Sequence, residues 1–202
     1  MLPISRYDET SGRTCSAVRA SPCRSTCRKF GAFPITADYG APVSSVDFRT
    51  WMPEDAPFLW EMLYQSLHVR EGHAPFPRSV LRDPDIAHYL TDFGGRDGDD
   101  AQVCVDESGE RVGAAWVRRM TAADPGYGYV SDEIPEVGMA VKKSWRGQGI
   151  GRRLLEILLD RHPRMSLSVD DENVSAVGLY RSIGFVPIES VGGSTTMVTG
   201  MA

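Results

Sequence analysis

The chain has little that would place it in a membrane, along a nucleic acid or around a metal ion. No run reaches the roughly 18 consecutive apolar residues that a membrane-spanning helix needs. The net charge of -5 excludes a nucleic-acid binder that works through a broad basic surface, and leaves room for a local cationic site. Cysteine is sparse: Cys15, Cys23 and Cys27 lie near the start and Cys104 lies alone. A zinc site built on Cys23-x3-Cys27 lacks ligands, because the first histidine is His68. His68, His73, His88 and His162 are scattered without metal-ligand spacing, so no metal is expected. The N-terminus shows no apolar run of the secretory kind, and the thiols read as free in a reducing cytoplasm.

Residues 1 to about 45 carry scattered Arg, Ser, Pro and Gly with no sustained period, and read as a disordered extension. From 46 to 202 the pattern becomes regular. Val46 to Trp51 alternates like a strand, and Phe58, Leu59, Met62, Leu63 and Leu67 recur at helical spacing. A second helix is predicted over Val80 to Leu90, with Asp83-Pro84 disturbing it. Gln102–Val105 and Arg111–Met120 form a hairpin about Glu107-Ser108-Gly109-Glu110. A strand over Glu136–Val141, a helix over Ile150–Arg161, a strand over Met165–Val169 and a short helix over Asn173–Ser182 follow. Phe185–Ile188 and Thr195–Thr199 are the last strands. The fold class is α+β: a mixed, mostly antiparallel central sheet of about seven strands flanked by helices.

The run Arg146-Gly147-Gln148-Gly149-Ile150-Gly151 joins a strand to an amphipathic helix. Free N–H groups at a helix start and the helix dipole make an anion site there. Glycines let phosphate oxygens approach the backbone, and Arg146, Arg152 and Arg153 supply positive charge. A Walker loop would need Lys-Ser/Thr after the glycines, which is missing. A dinucleotide fingerprint would need glycine where Arg152 stands, although Asp170 sits about 20 residues on, as a ribose-binding acid would. The pattern Arg/Gln-x-x-Gly-x-Gly/Ala fits Arg146, Gly149 and Gly151.

Three blocks now resemble the GNAT superfamily of N-acetyltransferases. They are Pro135-Glu136-Val137-Gly138-Met139-Ala140-Val141, Ser144-Trp145-Arg146-Gly147-Gln148-Gly149-Ile150-Gly151, and Asn173-x-x-Ala176-x-x-Leu179-Tyr180-x3-Gly184-Phe185. The family often has Pro where Lys143 stands. The resemblance implies acetyl-CoA as co-substrate and an amine as acceptor, and leaves a homodimer open. It implies that backbone groups around Met139, Ala140 and Val141 hold the pantetheine arm. It further implies that Arg146, Gly147, Gln148, Gly149, Ile150, Gly151 and Arg152 hold the pyrophosphate, and that Asn173 and Tyr180 contact the cofactor.

Amide formation from a thioester needs a deprotonated amine, a stabilised carbonyl oxygen and a departing thiolate. Tyr180 is the candidate acid; it lies seven residues after Asn173, two helical turns along the same face. Glu136 is the candidate base. Alternation puts it on one strand face with Gly138 and Ala140, whose small side chains predict a water-filled space beside the carboxylate. The Val141 N–H is a candidate to polarise the carbonyl, with Ser168 and Asp170 as reserve site residues. The loop Gly126-Tyr127-Gly128-Tyr129 with Asp132 and Glu133 would line a pocket for a cationic amine. Two other readings compete with catalysis: a non-catalytic CoA-binding regulatory domain and a dinucleotide-binding oxidoreductase.

Overall fold

Seven strands are laid out by the alternation of apolar and small residues along them, and two helical layers by apolar residues at helical spacing. The structure is a computed structural model that describes residues 45–200; the segment before them, with Cys15, Cys23 and Cys27 and the expectation of disorder, lies outside. The strands are β1 (Val46–Thr50), β2 (Asp100–Asp106), β3 (Arg111–Arg118), β4 (Glu136–Val141), β5 (Ser166–Asp170), β6 (Val186–Val191) and β7 (Ser194–Val198). They form one sheet in the order β1-β2-β3-β4-β5-β7-β6. Every neighbouring pair is antiparallel except β4 and β5. The mixed, mostly antiparallel sheet expected from the sequence is therefore the one observed, and a doubly wound sheet is not.

The helices are α1 (Ala56–Ser66), α2 (Pro84–Ala87), α3 (Ile150–Arg161) and α4 (Val174–Ser182). They cover opposite faces of the sheet. Leu59, Met62 and Leu63 of α1 pack with Ile86, Tyr89 and Leu90 against Ala114, Trp116 and Ala140. Ile150, Leu154, Leu155 and Leu158 of α3, with Leu179 and Tyr180 of α4, pack against Val117, Val137, Val141 and Leu167. Each fully buried leucine or methionine contributes about 1.5–3 kcal/mol to these layers.

Two elements differ from the sequence expectation. The helix predicted over Val80–Leu90 is broken into a 3-10 turn (Arg78–Arg82) and the single turn of α2. Pro84 keeps Asp83 out of the helical region, at ψ 126°, and the Asp83 carboxylate then caps the N–H of Asp85. At the C-terminus, Val191 and Ser194 are joined through Gly192 and Gly193, both at positive φ. Such a pair makes the two-residue hairpin turn that suits strand twist, and it lets β6 run three residues past the expected Ile188.

Asp55 anchors the front of α1. It is fully buried and receives Arg49 of β1, Arg111 of β3 and the Met52 N–H. Burial pushes its carboxyl up, but those hydrogen bonds and charges outweigh it and hold it well below the usual carboxylate range. Arg118, at the end of β3, is likewise fully buried; it pairs with Asp99 and donates to the carbonyls of His88 and Thr91. That anchor fixes the segment after α2 against the sheet beside β4.

Candidate active site

The parallel neighbours β4 and β5 are in register at one pair, Glu136 opposite Ser166, and pair no further among the described residues. The Ser166 N–H bonds to the Pro135 carbonyl, whereas the Lys142 N–H bonds to Val112 of β3. Hydrogen-bonding direction alternates along a strand. Residues 137, 139 and 141 therefore turn their backbone groups toward β5, where no ladder continues to receive them. The backbone groups of Met139 and Val141 line this gap, and Ala140 faces β3 instead. The Val141 carbonyl accepts from Arg146 Nε at 2.9 Å, which folds the following loop against the open end of the gap.

That loop begins with a 3-10 turn (Lys143–Trp145) and leads into α3. Gly147 and Gly149 take φ of 78° and 79°, and a Cβ at either would meet nothing within 4 Å. Their conformation, not crowding, requires glycine. Gly149 is the N-cap of α3 and makes no side-chain cap bond, so the first N–H groups of that helix face outward unfilled by a side chain. Gly151 has a different reason: its missing side chain makes room for the methyl end of Met139. Arg152 reaches Ser182 at 2.6 Å, tying the start of α3 to the end of α4. Gln148 extends back to the Ser144 carbonyl. The site formed by Arg146 through Arg152 offers oriented N–H donors, a helix dipole and guanidinium charge, which is what a pyrophosphate needs.

On the α3–α4 face of the gap, Tyr180 packs in the apolar layer with its ring edge-on to Phe185. Burial pushes its phenol up to about 12, so it stays protonated at neutral pH and can give a proton. Asn173 uses its side-chain oxygen to cap α4 on the Ala176 N–H, which orients the helix that carries Tyr180.

Glu136 lies on the other face. It is 4% exposed. Its Oε1 accepts from the Tyr89 hydroxyl at 2.6 Å and from the Gly128 N–H at 2.9 Å, while Oε2 is buried with no partner among the described residues. Burial raises its carboxyl to about 7 against the pull of those two hydrogen bonds, so both protonation states are populated near neutrality. The water-filled space expected over Gly138 is not there. The Trp116 indole occupies it, so closely that a Cβ on Gly138 would overlap the ring. The loop Gly126–Tyr129 does lie beside Glu136: a Cβ on Gly126 would overlap Oε2, and one on Gly128 would overlap the backbone of Leu167 and Ser168 in β5. Asp132 bonds to Tyr129 and the Ala122 N–H, bracing the loop.

Asp170 is poorly suited as a base. Burial raises its carboxyl, but the Glu172 N–H and Arg70 outweigh this and hold it below the usual range. The fold brings His68 beside Asp170 and Glu172, a grouping invisible in the sequence spacing, with the Arg70 guanidinium already supplying the cation. Ser168 sits under the Gly128 loop. Sequence reasoning missed Tyr89, Trp116 and Arg118 as determinants of this site. Tyr89 had no signal, because it stands 47 residues from the carboxylate it bonds.

Comparison with known proteins places this geometry. The profile of the Acetyltransferase (GNAT) family matches residues 57–185. A mycothiol acetyltransferase of Jonesia denitrificans is 27% identical over 94% of this chain and 52% of that protein. The N-alpha-acetyltransferase RimI of Mycobacterium tuberculosis is 40% identical over 56% of this chain and 63% of that protein. The chain thus spans about half the length of the first and under two thirds of the second. In fold, a phosphinothricin acetyltransferase of Sinorhizobium meliloti, solved with AcCoA, superposes with a TM-score of 0.54 at 21% identity, covering 76% of this chain and 86% of that one.

Proposed function

The chain belongs to the GNAT acetyltransferase family, and from that premise we propose that it moves an acetyl group from acetyl-CoA directly to a primary amine. The carrying observation is the placement of two groups with complementary proton behaviour on opposite faces of one gap. Glu136, with its carboxyl raised to about 7, is poised to accept a proton on the α1–α2 face. Tyr180, held protonated, is poised to donate one on the α3–α4 face. Burial raises both, and leaves one able to exchange its proton near neutrality and the other protonated, so the pair can divide the base and acid roles.

Acetyl-CoA supplies the activated acetyl group when bound. The α3 N-terminus with Arg146, Gly147, Gln148, Gly149, Ile150, Gly151 and Arg152 holds its pyrophosphate. The outward backbone groups of Met139 and Val141 hold the pantetheine arm, and the Val141 N–H polarises the carbonyl. Glu136 takes the amine proton and Tyr180 protonates the sulfur. Two relatives are named for acetyl transfer, a mycothiol acetyltransferase and an N-alpha-acetyltransferase, and the second name supports an amine acceptor.

Free-thiol release from acetyl-CoA across an amine panel tests this. Wild type turns over with at least one amine, and Tyr180→Phe slows it roughly 10²- to 10⁴-fold with acetyl-CoA still bound. Tight CoA binding with no release for any amine would instead make the chain a non-catalytic CoA-binding regulatory domain.

A further inference from the structure

Four buried polar atoms on one side of the sheet have no hydrogen-bond partner among the described residues: Glu136 Oε2, Ser166 Oγ, Trp116 Nε1 and His88 Nε2. Ser166 is the register partner of Glu136 on β5, and Trp116 lies over Gly138 on the same strand as Glu136. Buried polar atoms are normally satisfied, so an orphaned carboxylate oxygen calls for an explanation. The other carboxylate oxygen is in the opposite state. Glu136 Oε1 accepts two hydrogen bonds, from Tyr89 and Gly128.

We propose that Tyr89 is a positioning residue for Glu136: with the Gly128 N–H it occupies Oε1, fixes the carboxylate plane, and leaves Oε2 as the oxygen that takes the proton of the acceptor amine. The proposal rests on the reading of Glu136 as the base. Through an intervening water, Oε2, which Gly126 covers, accepts the proton that the amine nitrogen gives up as its bond to the acetyl carbon forms. The electron pair of the broken carbon–sulfur bond stays on sulfur, and the Tyr180 hydroxyl provides the proton that neutralises it.

Tyr89 is well placed for this. Its hydroxyl both donates to Glu136 and accepts from the Tyr127 N–H at 2.8 Å, so it holds the carboxylate and the loop above it with one atom. A phenol bonded in this way cannot rotate without breaking both contacts. Tyr89 is itself held by its neighbour. His88 stacks edge-on to it, bonds Asp124 through Nδ1, and has its carbonyl on Arg118. Arg118, the β3 register partner of Glu136, is neutralised by Asp99 and so does not compete for the carboxylate. The charged and titratable groups facing Glu136 are therefore His88 and Tyr89 from the segment after α2, Arg118 from β3, Ser166 from β5 and the Tyr127–Gly128 backbone from the loop. Of these, Tyr89 and Gly128 bond its charged form, and Tyr89 alone can be altered without changing the backbone.

The test is the pH dependence of kcat/KM for the full chain with an amine it acetylates, in wild type, Tyr89→Phe and Glu136→Gln. A hydrogen bond to the carboxylate favours its charged form, so its loss raises the proton affinity. Tyr89→Phe should move the acidic limb upward by about one pH unit, leaving KM for acetyl-CoA within twofold. An infrared titration of the Glu136 carboxyl, its band assigned by its disappearance in Glu136→Gln, should show the same upward shift without any turnover. Loss of the limb in Glu136→Gln with no shift in Tyr89→Phe by either readout would overturn the role of Tyr89 alone. A limb that survives in Glu136→Gln would overturn the base assignment on which it rests.

Discussion

At the first residue of β4 a carboxylate is 4% exposed and gripped by groups from two other parts of the chain. Just past the last residue of the same strand, Gly147 and Gly149 sit in left-handed conformations with open space around them. The first place would work through a side chain whose properties come from burial. The second would work through backbone N–H groups whose properties come from local conformation. One strand thus carries the proposed base, set by tertiary packing, at one end and leads at the other into the proposed anion cradle, residues 146–152. The two ends are separable: damage to the cradle should cost binding, and damage to the carboxylate should cost chemistry.

Glu136→Gln is the sharpest way to divide them. It should lower kcat by about 10²- to 10⁴-fold, the usual worth of a general base, while the dissociation constant for acetyl-CoA stays within about twofold. Equilibrium binding beside steady-state turnover reads both. A variant that loses acetyl-CoA binding as well would join the two ends into one unit.

The same carboxyl should leave a mark on stability. Its folded-state value of about 7 lies above the ordinary 4.5, so between those values the native chain keeps a proton that the unfolded chain has released. Stability therefore falls as pH rises through that window, by an amount on the order of 3 kcal/mol. Thermal midpoints measured from pH 4.5 to 8 should decline in wild type and decline less in Glu136→Gln. Asp55, held below its ordinary range, works on the other side: its contribution is present above the unfolded value and is lost as the solution becomes strongly acidic.

How much of each end was legible in the sequence follows from the same contrast. The turn proposed as the cradle was readable as a strand-to-helix connection because its determinants are contiguous, and the positive φ of Gly147 and Gly149 accounts for glycine at both. Strand order and the two helical layers were readable because alternation and helical spacing repeat within each element. The surroundings of Glu136 were not. Alternation correctly grouped Glu136 with Gly138 and Ala140, but the emptiness inferred over Gly138 assumed nothing crossed from β3, and the register brings Trp116 there. Likewise Pro84 broke a helix whose apolar spacing otherwise continued, and Tyr89, just past the short helix that follows, bonds the carboxylate. Contacts made across long sequence separations depend on register and loop path, which no local period encodes.

At the cradle, Gly149→Ala tests whether conformation is the whole reason for glycine. Nothing obstructs a Cβ there, so the cost is that of a left-handed backbone at a non-glycine residue, about 1–2 kcal/mol. If the loop relaxes to avoid it, its N–H groups turn away from the phosphate. Affinity for acetyl-CoA should fall about tenfold, at 1.4 kcal/mol per decade, with the acidic limb of the pH profile unmoved. A shifted limb would show that the loop reaches Glu136.

The smallest effect is expected at Lys143, between the two ends, where the family often has proline. Lys142 has φ -50° and ψ 139°, a ψ within the range that a following proline favours, and Lys143 opens a 3-10 turn, where φ is already near the proline value. Proline at such a position removes freedom from the unfolded chain without straining the folded one. Lys143→Pro should therefore raise stability by about 0.4–1 kcal/mol in denaturant unfolding and leave acetyl-CoA affinity and kcat unchanged. A loss of affinity would mean that the ammonium of Lys143, and not only the backbone of residues 146–152, holds the anion. The cradle would then depend on side-chain charge as the carboxylate end does, and the division between the two ends of β4 would narrow.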